Sequence, residues 1–131
     1  MSQATEDPNP QRAEIDRLIL SEIDSVPHLE ALLLLWNSRP KQWPVEELAS
    51  FIYIPAERTR EILQDLQQRD LVLMTFSGCF YNPNCSWDNL MEELDRTYRR
   101  ELVRVSNMIH SKASPAVREF ARAFRFKKDK P

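Results

Sequence analysis

Glycine is almost missing from this chain: Gly78 is its single representative in 131 residues. Loops that cradle phosphate, such as the Walker loop and the G-x-G-x-x-G turn, need several positions without a Cβ so that backbone can approach the ligand. Nucleotide-dependent enzymes of those types are therefore excluded. Cysteine is scarce too, and Cys79 and Cys85 are too few for a disulfide framework. Histidine is limited to His28 and His110, far apart in sequence, so a Cys/His zinc set lacks ligands and neither a metal nor another cofactor is expected. No apolar run approaches the roughly 18 residues of a membrane span. The longest, "ALLLLW", is flanked by His28, Glu30 and Arg39. The opening "MSQATEDPNPQ" is acidic and polar with no apolar h-region, which predicts a cytoplasmic chain.

No catalytic constellation emerges either. Neither histidine stands near a cysteine or serine in a way that suggests an activated nucleophile. Cys79 and Cys85 lie in or beside a segment without the positive charge that lowers a thiol pKa. The expectation is a non-enzyme.

What is present is ordinary for a globular chain: 42% hydrophobic and 29% charged residues, enough for one core with extensions. The net charge of −2 hides an asymmetry, because residues 1–85 carry 13 acidic and 7 basic side chains and residues 86–131 carry 7 and 11. Attraction for an anionic partner should come from the C-terminal third.

Periodicity divides the chain into a leader (1–10), an N-terminal helix (11–25), a central unit (26–84) and a C-terminal part (85–131). Ile15, Leu18, Ile19 and Ile23 recur at helical spacing. In "PHLEALLLLWNSR", Leu29, Leu32, Leu33 and Trp36 form a stripe that Leu34 and Leu35 widen, so this helix should be central. "PVEELASFI" and Ala56 to Arg69 are two further helices around the turn "YIP", the first with Pro44 as its opening residue. "LVLMTF" and "CFY" flank Ser77-Gly78 as a two-residue hairpin loop. From about 86 to 111 the apolar positions Trp87, Met91, Leu94, Tyr98, Leu102, Val105 and Ile109 keep a near-heptad rhythm, which predicts one long helix. A short basic amphipathic helix, "AVREFARAFRF", carries Phe120 and Phe124 on one face.

Helix, helix, turn, helix, hairpin is the order of a winged helix-turn-helix domain, and "VEELASFIYIPAERTREILQDLQQRDLV" resembles its core pattern. Leu48, Ala49, Ile52, Ile54, Ile62, Leu63, Leu66, Leu71 and Val72 stand at the apolar positions. With flanking helices at both ends the chain is similar to the MarR-like branch. The resemblance implies a mostly α fold with a small β-hairpin wing and long dimerisation-type helices, acting as a homodimeric bacterial transcription regulator on duplex DNA. Three positions depart from the pattern: Tyr53 and Asp70 stand where glycine is usual, and Thr59 replaces an apolar residue. The chain also resembles small bacterial winged-helix proteins that share a helix like "HLEALLLLW" and a C-terminal "FARAFRFKK"-type helix, a likeness that implies no function.

Under this reading the third helix presents Arg58, Arg60 and Gln64 to DNA. With Thr59, Ile62, Leu63 and Leu66 turned to the core, stepping about 100° per residue puts Glu57, Glu61, Gln64 and Gln68 at the centre of the exposed face. Arg58 and Arg60 fall on its flanks, suited to phosphate, while Glu57 and Glu61 would face base edges. The competing expectation pairs Arg60 with Glu57 and Arg58 with Glu61 on an ordinary solvated helix, and the alternative function is an interaction module that binds a protein through its aromatic-rich C-terminal helix or its acidic third helix. Leu94, Tyr98, Leu102, Val105, Ile109, Phe120 and Phe124 are the expected dimerisation residues, with packing of the apolar seam on the N-terminal helix as the alternative. Arg96, Arg99, Arg100 and Arg104 form a basic flank beside them, or pair with Glu92, Glu93 and Glu101. Contact of "REFARAFRFKK" with an anionic membrane surface is the weakest of the partner readings.

Overall fold

The computed structural model describes residues 10–112. The element order is α1 (Pro10–Glu22), α2 (Val26–Asn37), α3 (Val45–Ile52), α4 (Ala56–Gln68), β1 (Val72–Thr75), β2 (Gly78–Tyr81), α5 (Met91–Arg100) and α6 (Leu102–Lys112), with a 3-10 turn at Asp88–Leu90 before α5. The described residues are mostly helical with one two-stranded antiparallel hairpin, compatible with a winged helix. The expected leader up to residue 9 and the helix bearing Phe120 and Phe124 lie outside the described residues. Among the described residues no helix is long and apolar enough to cross a membrane.

Helix α2 is the hub. Its mostly apolar surface touches α3, α4, α5, α6 and β2, and Leu29, Ala31, Leu32 and Leu35 are fully buried. A helix apolar around most of its circumference must be covered on most sides. Ser25 caps it, accepting from the His28 backbone N–H, and Pro27 occupies the first turn, where no intrahelical donor is lost. From α4, Thr59, Ile62, Leu63 and Leu66 face the same core, as the 3.6-residue period requires.

Tyr53 ends α3 in the left-handed conformation (φ 61, ψ 42), and Asp70 follows α4 at φ 63. These are the two positions where the resembled pattern has glycine. A non-glycine residue there costs about 1–2 kcal/mol, while each fully buried leucine contributes about 1.5–3 kcal/mol, so the core tolerates both. Asp70 is also tied down, its carbonyl accepting from Asn82 Nδ2 at 2.8 Å. Tyr53 is 92% exposed and has no packing to lose. Tyr53→Gly should therefore raise stability by about 0.5–1 kcal/mol, the relieved strain less the added freedom of the unfolded chain. Chemical denaturation of the two proteins measures it, and a less stable glycine variant would contradict the strain argument.

Two expectations are corrected. The hairpin loop is Phe76-Ser77, because Thr75 pairs with Gly78 in the register Val72↔Tyr81, Leu73↔Phe80, Met74↔Cys79. Gly78 belongs to β2, where its backbone passes so close to Trp43 that a Cβ would lie 2.3 Å from the Trp43 carbonyl oxygen. The neighbouring Cys79 exchanges two 2.8 Å backbone hydrogen bonds with Trp43, which adds a one-residue third member to the sheet.

The second correction concerns the long C-terminal helix, which is interrupted at Glu101 (φ −126, ψ 47). A straight helix would carry Val105 and Ile109 away from the body. The bend returns them to the core, where α6 lies against α1 and α2 and both side chains are fully buried. Glu101 is held there by Arg12 at 2.9 Å and Arg104 at 2.5 Å, and Arg104 also reaches Asp16. At the far end Lys112 donates to the carbonyls of Ile19 and Leu20, the last turn of α1.

Candidate functional site

The surface expected to meet a partner is built from α3, the turn at Tyr53, α4 and the hairpin. On α4, Glu57, Arg58, Arg60, Glu61, Gln64 and Gln68 are all exposed. Arg58 pairs with Glu61 at 3.1 Å, the i,i+3 pair expected from spacing. Arg60 pairs with Glu46 of α3 at 3.5 Å instead of with Glu57. That partner lies 14 positions away, so only the packing of α3 on α4 could reveal it.

Solvated pairs of this kind contribute at most about 1 kcal/mol, and either arginine could be pulled away by a stronger anion. Pairing therefore does not disarm the arginines; the carboxylates fixed beside them matter more. Between residues 42 and 82 the chain has three basic and six acidic side chains, and none of the basic ones is in the hairpin. A duplex set against α4 would bring Glu46, Glu57 and Glu61 together into its negative field.

The same surface exposes large apolar groups. Phe76 at the hairpin tip is fully exposed, Phe51 is 60% exposed and Tyr53 92%. Phe51 stands edge-on to Trp43 with ring centroids 5.1 Å apart, and Lys41 lies 4.4 Å from the Trp43 ring centroid. Between α3 and α4 is an open cleft of about 490 Å³ lined by Glu46, Ser50, Tyr53 and Ile54 among others.

The residues expected to pair two copies are divided by the bend. Leu94, Val105 and Ile109 lie in the chain's own core, and Tyr98 is half-buried, donating to Glu30 Oε2 at 3.0 Å. Leu102 is exposed, as is its neighbour Val103. The basic flank is largely paired: Arg96 with Glu92 and Glu93, Arg99 with Asp95, and Arg104 with Glu101 and Asp16.

No family model matches this chain, and neither a curated protein nor a solved structure matches it significantly.

A second cluster was not foreseen from the sequence. His28 is 2% exposed, and its Nδ1 lies 2.6 Å from Ser25 Oγ and its Nε2 2.9 Å from Asp65 Oδ2. Asp24 brings its carboxylate to the same place and pairs with Arg69 at 3.2 Å. Two signals were available: a histidine three residues after a capping serine on an apolar helix, and an aspartate beside the core face of α4. Their meeting depends on how α2 packs against α4. Three groups in line, hydroxyl, imidazole and carboxylate, look like a nucleophile relay, but Ser25 Oγ already accepts from the helix backbone as a cap.

Burial shapes the other titrating groups. It pushes the Cys79 thiol from 9.0 up to about 12, and burial plus the bond to Glu30 pushes Tyr98 from 10.0 up to about 12. Burial, with the 2.5 Å bond to Asp88, raises Tyr81 further. All three favour the neutral form in the folded state. Their stabilisation is complete below pH 9 and is lost as pH rises through the folded values. Denaturation midpoints should therefore fall between pH 9 and 12, and Cys79 should resist alkylation at pH 8 until the protein unfolds. Rapid native-state alkylation of Cys79 would contradict its burial.

Proposed function

We propose that this chain is a winged-helix-type interaction module that engages a protein partner through the α3–α4 turn and the tip of the hairpin. The carrying observation is the charge of α3 and the outward face of α4, where Glu46, Glu47, Glu57 and Glu61 stand against Arg58 and Arg60 and both of these arginines lie beside glutamates. The exposed Phe51, Tyr53 and Phe76 support the same reading, since aromatic side chains supply large contact area at little conformational cost. The complementary partner presents apolar side chains with basic neighbours.

The second reading, a MarR-like transcription regulator binding duplex DNA, is favoured by the position of Gln64 at the middle of the exposed face of α4 with Arg58 and Arg60 on either side. Repeated selection from a random duplex library at low salt separates the two. An interaction module enriches no sequence, and a photo-crosslinker placed at position 76 in cells forms protein adducts that one at position 64 does not. Enrichment of a sequence whose binding falls steeply with salt and disappears in an Arg58→Ala, Arg60→Ala variant would overturn the first reading in favour of the second.

Homodimerisation belongs to the second reading. We place it at Leu102 and Val103, exposed beside the α5–α6 bend. Sedimentation of a Val103→Glu variant tests this surface, which requires the wild type to be dimeric and the variant monomeric.

A further inference from the structure

We infer that Asp24, His28 and Asp65 form a binding site for a divalent transition-metal ion of the zinc or cobalt type. One ligand atom from each lies within 4.8 Å of the other two. One imidazole and two carboxylates are a donor set that such ions accept, with the remaining positions filled by water.

Two features go beyond the presence of the three residues. The first is the support of the imidazole. Ser25 Oγ, 2.6 Å from Nδ1, is a hydroxyl and can donate to a bare Nδ1 or accept from a protonated one. Without metal, Asp65 can only accept, so Nε2–H donates to it, and Nδ1 and Ser25 Oγ share one hydrogen bond. With metal, the proton sits on Nδ1, which donates to Ser25, and the Nε2 lone pair faces the ion. A ring whose second nitrogen is held in this way is the usual arrangement of a ligating histidine. His28 is buried and fixed, whereas Asp24 and Asp65 are part-exposed, so the ion has a route from solvent.

The second feature is charge. Arg69 lies against Asp24 at 3.2 Å and also donates to the Ser21 carbonyl at 3.1 Å, so its position does not depend on Asp24 alone. A carboxylate has two oxygens, and Asp24 can keep Arg69 on one while giving the other to the ion. With Arg69 still on Asp24, the two aspartates offset part of the positive charge that the ion and the guanidinium bring together. The site joins the turn between α1 and α2 to the C-terminal half of α4, so a bound ion would clamp the N-terminal helices to the helix that carries Arg58 and Arg60. This inference does not rest on either reading of the partner.

The test titrates the metal-free full-length protein with Co²⁺ alone, followed by its visible bands, and with Zn²⁺ alone, followed by thermal unfolding. Wild type should develop a saturable cobalt spectrum and a higher unfolding temperature with zinc. Asp65→Asn, nearly isosteric, should unfold like wild type without metal yet bind at least about tenfold more weakly. Asp24→Asn, at a part-exposed side chain, provides the same comparison should Asp65→Asn fail to fold. Absence of saturable binding by wild type, or unchanged affinity in a folded Asp65→Asn or Asp24→Asn variant, overturns the inference.

Discussion

Gly78→Ala is expected to destabilise the protein by about 3 kcal/mol and to lower its unfolding temperature by roughly 10 °C. Two effects act together. The residue has φ +133, a backbone conformation that an L side chain rarely adopts, and the added Cβ would meet the Trp43 carbonyl oxygen at 2.3 Å, its carbon at 2.4 Å and Pro44 N at 2.8 Å. All three atoms are backbone, so no side chain can rotate to make room. Relief requires the hairpin to move away from Trp43, breaking the paired hydrogen bonds between Trp43 and Cys79 and leaving polar groups to find water. Ser77→Ala, within the actual two-residue loop, should change stability by no more than about 0.5 kcal/mol. Urea denaturation of the two variants is the measurement. Equal stabilities would mean that the close approach of β2 to Trp43 does not matter.

The second large effect is expected at His28. His28→Ala should cost about 3 kcal/mol in the metal-free protein, through a cavity at a fully packed position and the loss of both ring hydrogen bonds. The ring links the cap of α2 to α4, so its loss should loosen the contact between these helices rather than fray one end. His110→Ala, at an exposed position in the last turn of α6, is the matched control and should stay within about 0.5 kcal/mol. Hydrogen exchange would locate the change. Faster exchange at Ile62, Leu63 and Leu66 of α4 in the His28 variant, but not in the His110 variant, is the expected pattern. Comparable stability of the two variants would mean that neither the packing of His28 nor its two ring hydrogen bonds hold α2 to α4.

The sequence by itself determined the four helices between residues 10 and 68 and which of their faces are buried. Apolar residues at helical spacing have one economical solution, burial of that face, and Ile15, Leu32, Ile62 and Leu66 take it. It also located the two departures from glycine, because backbone conformation at a tight turn is a local property, and Tyr53 and Asp70 both have positive φ.

Three things depended on tertiary structure. The period that runs through Leu94, Leu102 and Ile109 is the same for a straight helix and for one folded back at Glu101, and only the neighbouring α1 and α2 decide between them. Gly78 looked like a turn residue because glycine serves both turns and close approaches, and the approach involves Trp43, 35 positions earlier. Arg60 finds Glu46 and His28 finds Asp65 across 14 and 37 positions. Distances of that kind are made by packing, which periodicity in one dimension does not encode. The candidate partner surface was thus half legible: its residues could be named, but their charge partners were set by how α3 and α4 meet.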